Sequence, residues 1–179
     1  MNEAFQKLNE LGVGEFAHID GSLIDHLQGT QKLLKEWSAS NILQDAGLYH
    51  AAYGTASYAE SFTSLQKRDE ISNIIGSEAE SIVYLYCACD REYFWEQIRT
   101  TTKPKFKNRF TNELHTLSSQ QLNNFCELSV ANEIEIATDN ETYIKKYGNF
   151  IYTTFLKMHP YISDPAKKTV QLVFANNYA

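Results

Sequence analysis

The chain has 179 residues, a hydrophobic fraction of 43% and a formal net charge of −6. This length suits one domain with a well-formed core, and we expect a single domain over residues 1–179. The acidic balance argues against a protein that binds nucleic acid through a basic face. No apolar run approaches the roughly 18 residues that a transmembrane helix needs, so we expect no membrane partner. The odd number of cysteines and an N-terminus without an apolar core predict reduced thiols, no signal peptide and a cytoplasmic location.

The predicted elements are helices along the whole chain, because hydrophobic residues recur every three or four positions and no stretch alternates with period two. Ser22 or Asp20, and Ser40 or Asn41, are suitable caps for the first two long helices. The fold class that we predict is therefore all-α, a compact multi-helix bundle. The predicted helices cover residues 2–11, 21–37, 40–52, 66–75, 77 through the apolar run that ends near 98, 119–137, 141–158 and a last segment that starts at Asp164-Pro165.

Two further signals concern the ends and connections of these helices. Ser77 with Glu80, and Ser118 with Gln121, have the spacing of a capping box. Residues 55–65 are polar and irregular, which favours a loop over a site. Residues 103–109, KPKFKNR, predict a basic, exposed connector.

Histidines near the N-terminal half provide the main functional signal. Two antiparallel helices joined by a short connection would bring the imidazoles of His26 and His50 together, while His18 joins them only if its loop folds back. Imidazole nitrogen suits zinc, iron, nickel and manganese, and carboxylates complete such sites. The acidic candidates are Glu78, Glu80 and Asp90. Asp90 is preferred, since it follows Ile82 and Tyr86 on one apolar row of a predicted helix. The alternatives are core histidines with ordinary partners and an Asp90 that forms a helix-end ion pair.

A few other polar residues each allow two interpretations. Tyr53 is either a phenol donor in a site or a core aromatic residue. Arg68 either binds a phosphate or carboxylate with two hydrogen bonds or lies at the surface. Asn132, Glu133 and Glu135 interrupt an apolar helix, and they either support a site or face solvent.

Two segments resemble the opening of the HD superfamily of metal-dependent helical proteins. They are HLQGTQKLLKEW, which begins at His26, and AGLYHAAYGT, which begins at Ala46. In that superfamily a histidine on one helix is followed by an apolar helix that ends in a His-Asp pair and a glycine. His50 matches the histidine of the pair, but Ala51 stands in place of the aspartate.

The pattern is also similar to a little-characterised family of HD-like proteins from bacteria and fungi, which has no assigned activity. The similarity covers about residues 15–95, and the AGLYHAAYGT block is its most specific part. The residues that match the family's pattern are His18, Leu23, His26, Gly29, Thr30, Trp37, the AGLYHAAYGT block, Arg68, Gly76, Ala79-Glu80 and Asp90-Arg91.

The resemblance implies an HD-like topology and a metal-dependent hydrolase, with phosphoesters as the substrate class. One divalent ion (zinc, iron, manganese or nickel) would be held by His26, His50 and Asp90, because the loss of the aspartate at Ala51 argues against a two-metal centre. His18 would complete the shell or act as acid and base, and Tyr53 would donate a proton. In this hypothesis Arg68 would hold the anionic group of a small-molecule substrate.

Two alternatives stay open beside this hypothesis. An iron oxygenase would use the same ligands. A non-catalytic, degenerate HD-like domain would bind a small molecule or a protein partner in the same pocket, and Ala51 favours it. The pattern leaves the substrate, the metal and the oligomeric state open.

Overall fold

Helices account for most of the residues that the structure, a computed structural model, describes: 3–13, 17–18, 21–138 and 140–175. Short turns of 3-10 helix cover Leu65–Lys67 and His159–Tyr161. The all-α prediction is confirmed. The α-helices of the described ranges are α1 (Glu3–Glu10), α2 (Leu23–Glu36), α3 (Asn41–Tyr49), α4 (Arg68–Ile75), α5 (Ser77–Cys87), α6 (Arg91–Thr100), α7 (Ser119–Ala137), α8 (Glu141–Met158) and α9 (Asp164–Phe174).

Side-chain caps define several of the helix starts. The hydroxyl of Ser22 accepts a hydrogen bond from an amide of the first turn of α2, and Ser40 does the same for α3. Ser118 and Gln121 form the predicted capping box at the start of α7, with both reciprocal hydrogen bonds present. These caps satisfy amide groups that have no partner within the helix.

The long apolar helix predicted from residue 77 is instead two helices. α5 ends at Cys87 and α6 begins at Arg91, and the Asp90 side chain accepts a hydrogen bond from the Tyr93 amide. The backbone amide of Asp90 donates to the Lys107 carbonyl at 3.0 Å. The break occurs because a distant segment provides backbone partners that compete with a continued helix. Ser77 does not cap α5 with its side chain, so the capping box predicted with Glu80 is wrong.

Two short antiparallel pairs accompany the helices: β1 (Ala17–His18) with β2 (Gly21–Ser22), and β3 (Phe106–Lys107) with β4 (Leu114–His115). The prediction of an exposed connector over residues 103–109 is wrong at Phe106. That ring is fully buried, and its centroid lies 5.8 Å from that of Phe125.

The core joins the two halves of the chain. Leu34, Trp37 and Leu43, from α2 and α3, belong to the same buried cluster as Phe125 and Phe155, from α7 and α8. A second cluster lies around α1, α3 and the start of α5. Because α7 packs against both α2 and α9, it ties the motif-bearing helices to the C-terminal ones. Within the described residues, the helices are too short or too polar to cross a bilayer.

Candidate functional site

A cavity of about 550 Å³ lies among the helices, with walls from α2, α5, α6, α7 and α8. His26, His50, Arg91, Asn132 and Glu133 supply polar groups to its lining. Most of the remaining lining is aromatic or aliphatic, and Thr55, Ser57 and Tyr58 of the polar loop complete it, as the loop prediction anticipated. An apolar cavity with a few convergent polar groups is the usual form of a small-molecule site.

The imidazoles of His26 and His50 meet at this cavity. The two Nε2 atoms lie 3.2 Å apart, and the Oδ1 atom of Asn132 lies 3.1 Å from the Nε2 of His26. His26 and His50 are 4% and 2% exposed. The expectation that neighbouring helices bring the two rings together is confirmed.

The other nitrogen of each ring has an acceptor as its partner. The Nδ1 of His26 bonds to a carboxylate oxygen of Glu135, and the Nδ1 of His50 lies 2.7 Å from the Gly47 carbonyl oxygen. A carbonyl and an ionised carboxylate only accept, so each Nδ1 carries the hydrogen. In neutral rings both Nε2 atoms are then lone-pair donors that face each other. A proton or a cation between them removes this repulsion.

Glu135 reaches His26 because Gly29 leaves room for it. A Cβ atom at Gly29 would lie 2.7 Å from both the Cγ and the Oε1 of Glu135. Gly29 has ordinary helical backbone angles that any residue could adopt. A glycine is needed there because α7 approaches α2 so closely that no side chain fits.

The donor set suits one divalent ion better than two. Two imidazole nitrogens bound to one tetrahedral zinc ion lie about 3.3 Å apart, close to the separation of the His26 and His50 Nε2 atoms. Glu135 and the Gly47 carbonyl are the kind of outer partners that orient metal-binding histidines. Among the described residues, however, no three His, Cys, Asp or Glu side chains form a metal-binding group, so an ion at the histidine pair would need the Asn132 amide oxygen as its third protein donor.

Ala51 is 3% exposed and lines the cavity beside His50. The position that carries an aspartate in the HD superfamily therefore faces the site in this chain. Its methyl group offers no ligand, so the groups that converge at the histidine pair are the two imidazoles and the Asn132 amide oxygen.

Asp90 lies away from the histidine pair, since it is not among the cavity-lining residues. Its carboxylate caps α6 and forms an ion pair of 3.0 Å with Lys107. The Lys107 hydrogen bond holds the pKa of Asp90 below its ordinary value. The geometry therefore does not support Asp90 as a ligand; it matches the alternative of a helix-end ion pair.

Arg68 and Tyr53 bind Glu80 rather than the cavity. Arg68 makes two hydrogen bonds of 2.6 and 2.7 Å to the Glu80 carboxylate, and the Tyr53 hydroxyl donates to the same carboxylate at 2.9 Å. Burial and the Glu80 hydrogen bond raise the pKa of Tyr53. The guanidinium that was expected to hold a substrate anion is thus paired with the buried Glu80 carboxylate, and the phenol matches the alternative of a core aromatic residue.

The His18 side chain lies outside the described residues, so its predicted place in a metal shell or as an acid and base stays a prediction.

Sequence reasoning missed two cavity residues, Tyr86 and Arg91. Arg91 was named only as part of the Asp90-Arg91 pair that matches the HD-like family, and Tyr86 only as part of an apolar row. The signal that could have identified Arg91 is its position, because an arginine in the middle of the run CACDREYFW must be paired or must face a polar space.

The chain was compared with known families and proteins. A family model described as a domain of unknown function (DUF6817) matches residues 7–91. The matched segment contains His26, His50 and Arg91, but it ends before α7, which carries Asn132 and Glu135. No curated protein matches the chain.

Proposed function

We propose that this protein is a metal-dependent hydrolase with an HD-like helical topology, in which His26, His50 and Asn132 hold one divalent ion. The observation that carries the proposal is the pair of Nε2 atoms 3.2 Å apart, each in a ring whose Nδ1 has an acceptor. Asn132 takes the place that the sequence analysis assigned to Asp90.

Each group of residues at the site has a separate role in the proposed reaction. Glu135 and the Gly47 carbonyl hold the two rings in the tautomer that places a lone pair on each Nε2, and that lone pair is what a cation would bind. A divalent ion there supplies Lewis acidity and the means to deprotonate water near neutral pH. The apolar walls exclude bulk water, which strengthens electrostatic interactions inside the cavity. Hydrolysis adds water to the acyl or phosphoryl centre of an ester, breaks the bond to the leaving oxygen and returns a proton to that oxygen.

The deciding experiment is metal analysis of the purified full chain after exposure to zinc, iron, manganese or nickel. We expect about one equivalent of metal, lost in His26→Ala and in His50→Ala. Glu135→Gln should weaken binding about 10–100-fold, because outer partners contribute that much to metal affinity. Ester and phosphoester hydrolysis should decline in the same variants.

His115→Ala is the matched control, because His115 is exposed on β4, pairs with the exposed Glu113 and does not line the cavity. It should keep full metal content and activity. A wild-type chain that unfolds cooperatively but binds none of the four ions would overturn the proposal.

The second candidate is the non-catalytic module, and Ala51 is the observation that favours it. Ala51→Asp restores the carboxylate of the superfamily at a position that lines the cavity. If this variant binds metal while the wild-type chain does not, the natural chain is a degenerate HD-like domain. If both bind metal and the wild-type chain hydrolyses esters, the hydrolase proposal holds.

A further inference from the structure

Arg91 is a buried cation that forms no salt bridge, although the Glu133 carboxylate is near enough to interact with it electrostatically. It is 8% exposed and lines the cavity, and no Asp or Glu of the described residues forms an ion pair with it. Its Nε atom has no hydrogen-bond partner within the described part of the chain. Burying a charge without a partner is costly, so such a group inside a cavity points to a ligand that supplies the missing charge.

Aromatic rings provide part of the compensation. The guanidinium carbon of Arg91 lies 4.2 Å from the Tyr86 ring centroid and 5.5 Å from that of Trp95. Such cation–π contacts fix the plane of the guanidinium and leave its outer N–H groups available.

Tyr86 adds a second unsatisfied donor. Its buried hydroxyl makes no hydrogen bond of regular geometry among the described residues, its nearest polar neighbour is the Arg91 guanidinium, and Tyr86 lines the same cavity. The Tyr86 ring also lies 5.3 Å, centroid to centroid, from the His50 ring. An anion at Arg91 and Tyr86 would therefore be one ring away from the histidine pair.

The charge balance favours a singly charged ligand. Glu133 is the other charged residue that lines the cavity beside Arg91, and its carboxylate accepts a hydrogen bond from the Tyr143 hydroxyl. One guanidinium opposed by a nearby carboxylate suits a carboxylate better than a phosphate dianion, because the dianion would meet repulsion without a second cation.

The rest of the cavity suits an apolar body. Trp95, Tyr147 and Phe150 line it together with Ile151 and Phe155. A volume of about 550 Å³ fits within the range of drug-sized ligand sites. Aromatic walls of this kind pack against flat rings or branched aliphatic groups.

We propose that the cavity binds a small monocarboxylate with an aromatic or apolar body, whose carboxylate is held by the Arg91 guanidinium and the Tyr86 hydroxyl. As a statement about the substrate of hydrolysis it rests on the proposed function, and it narrows the substrate class from phosphoesters to esters that carry a carboxylate. As a statement about binding it stands on the Arg91 site alone.

The test is calorimetric binding of benzoate and indole-3-acetate to the full chain after removal of metal with EDTA. Benzamide is the neutral control, and phenyl phosphate is the dianionic one. We expect both carboxylates to bind at least tenfold more tightly than either control. Glu133→Gln should tighten carboxylate binding, because it removes a nearby negative charge.

Substitutions at Arg91 and Tyr86 test whether these two residues bind the carboxylate. Arg91→Lys should weaken benzoate at least tenfold, because lysine keeps the charge but loses the planar fork. Tyr86→Phe removes only the hydroxyl and should weaken binding several-fold with the fold intact. Arg99→Lys is the matched control, since Arg99 lies on the same helix and is exposed. It should bind benzoate like the wild-type chain.

Each other outcome has a definite meaning. Failure of both carboxylates to bind, equal affinity for benzamide, tighter binding of phenyl phosphate, or an unchanged affinity in both Arg91→Lys and Tyr86→Phe overturns the inference. Carboxylate binding that appears only after metal is added also overturns it, because the anion would then lie on the ion. Arg91-dependent binding in a chain that takes up no metal supports this inference while the hydrolase proposal fails.

Discussion

At the scale of single residues, the partners of Arg68, Asp90 and Arg91 could not be read from the adjacent residues in the sequence. Arg68 pairs with Glu80, twelve positions away, and Asp90 pairs with Lys107. Arg91, which follows Asp90 directly, faces the cavity instead. The residue that holds an anion in our proposal is thus the one of the three that forms no ion pair among the described residues.

Asp90 provides a pH-dependent test of its structural role. The Lys107 hydrogen bond lowers its pKa in the folded state, so ionised Asp90 stabilises the fold above its unfolded-state pKa, near 4. This contribution is lost as the pH falls through the lower folded-state pKa. We expect Asp90→Asn to reduce the free energy of unfolding by about 0.5 kcal/mol at pH 7, because the pair is partly exposed.

Asparagine remains a good cap, so Asp90→Asn isolates the charge from the Tyr93 hydrogen bond. Urea unfolding at pH 7 and at the lowest pH where the chain stays folded measures the difference, which should shrink at the lower pH. An equal deficit at both pH values would mean that the ion pair contributes nothing.

At the scale of secondary-structure elements, the approach of α7 to α2 decides the site. Gly29→Ala should favour the helix by about 1 kcal/mol through propensity, but its methyl group would collide with Glu135. Because the Glu135 side chain can swing away, we expect a folded protein in which the carboxylate has left His26. The ring ¹⁵N shifts of His26 in NMR spectra should therefore change.

The double variant with Glu135→Gln checks this explanation. If Gly29 acts only through Glu135, the two substitutions together should affect metal affinity no more than Glu135→Gln alone. Additive losses would show that Gly29 serves a separate purpose in helix packing. Gly47 provides a contrast, because a Cβ there would lie 2.5 Å from Leu34 and would separate α2 from α3 instead.

At the scale of the whole molecule, the site needs both halves of the chain. The family match ends at residue 91, yet Asn132, Glu135 and the α8 wall of the cavity lie beyond it. Leu34 and Trp37 of α2 share a buried cluster with Phe125 and Phe155. A fragment that stops before α7 would expose this apolar surface to water.

We therefore expect a fragment of residues 1–117 to lack a cooperative thermal transition and to bind no metal. Circular dichroism melts and metal analysis would measure both properties. A chain shortened only to residue 175 is the control and should behave like the full chain. Cooperative unfolding of the 1–117 fragment with metal retained would mean that α7 is dispensable for the site.

The helices and most of their caps follow from the sequence, because periodicity and capping depend on residues a few positions apart. The meeting of His26 and His50 could also be predicted, since their helices are consecutive and joined by a short connection. Three features could not be predicted from the sequence: the helix break at Asp90, the pairing of Arg68 with Glu80, and the orientation of Arg91 toward the cavity. Those features depend on packing between different elements: Arg68 of α4 pairs with Glu80 of α5, Asp90 pairs with Lys107 of β3, and Arg91 faces a cavity whose other walls include α7 and α8. Local patterns carry no information about such contacts, which the shared core of the folded chain establishes.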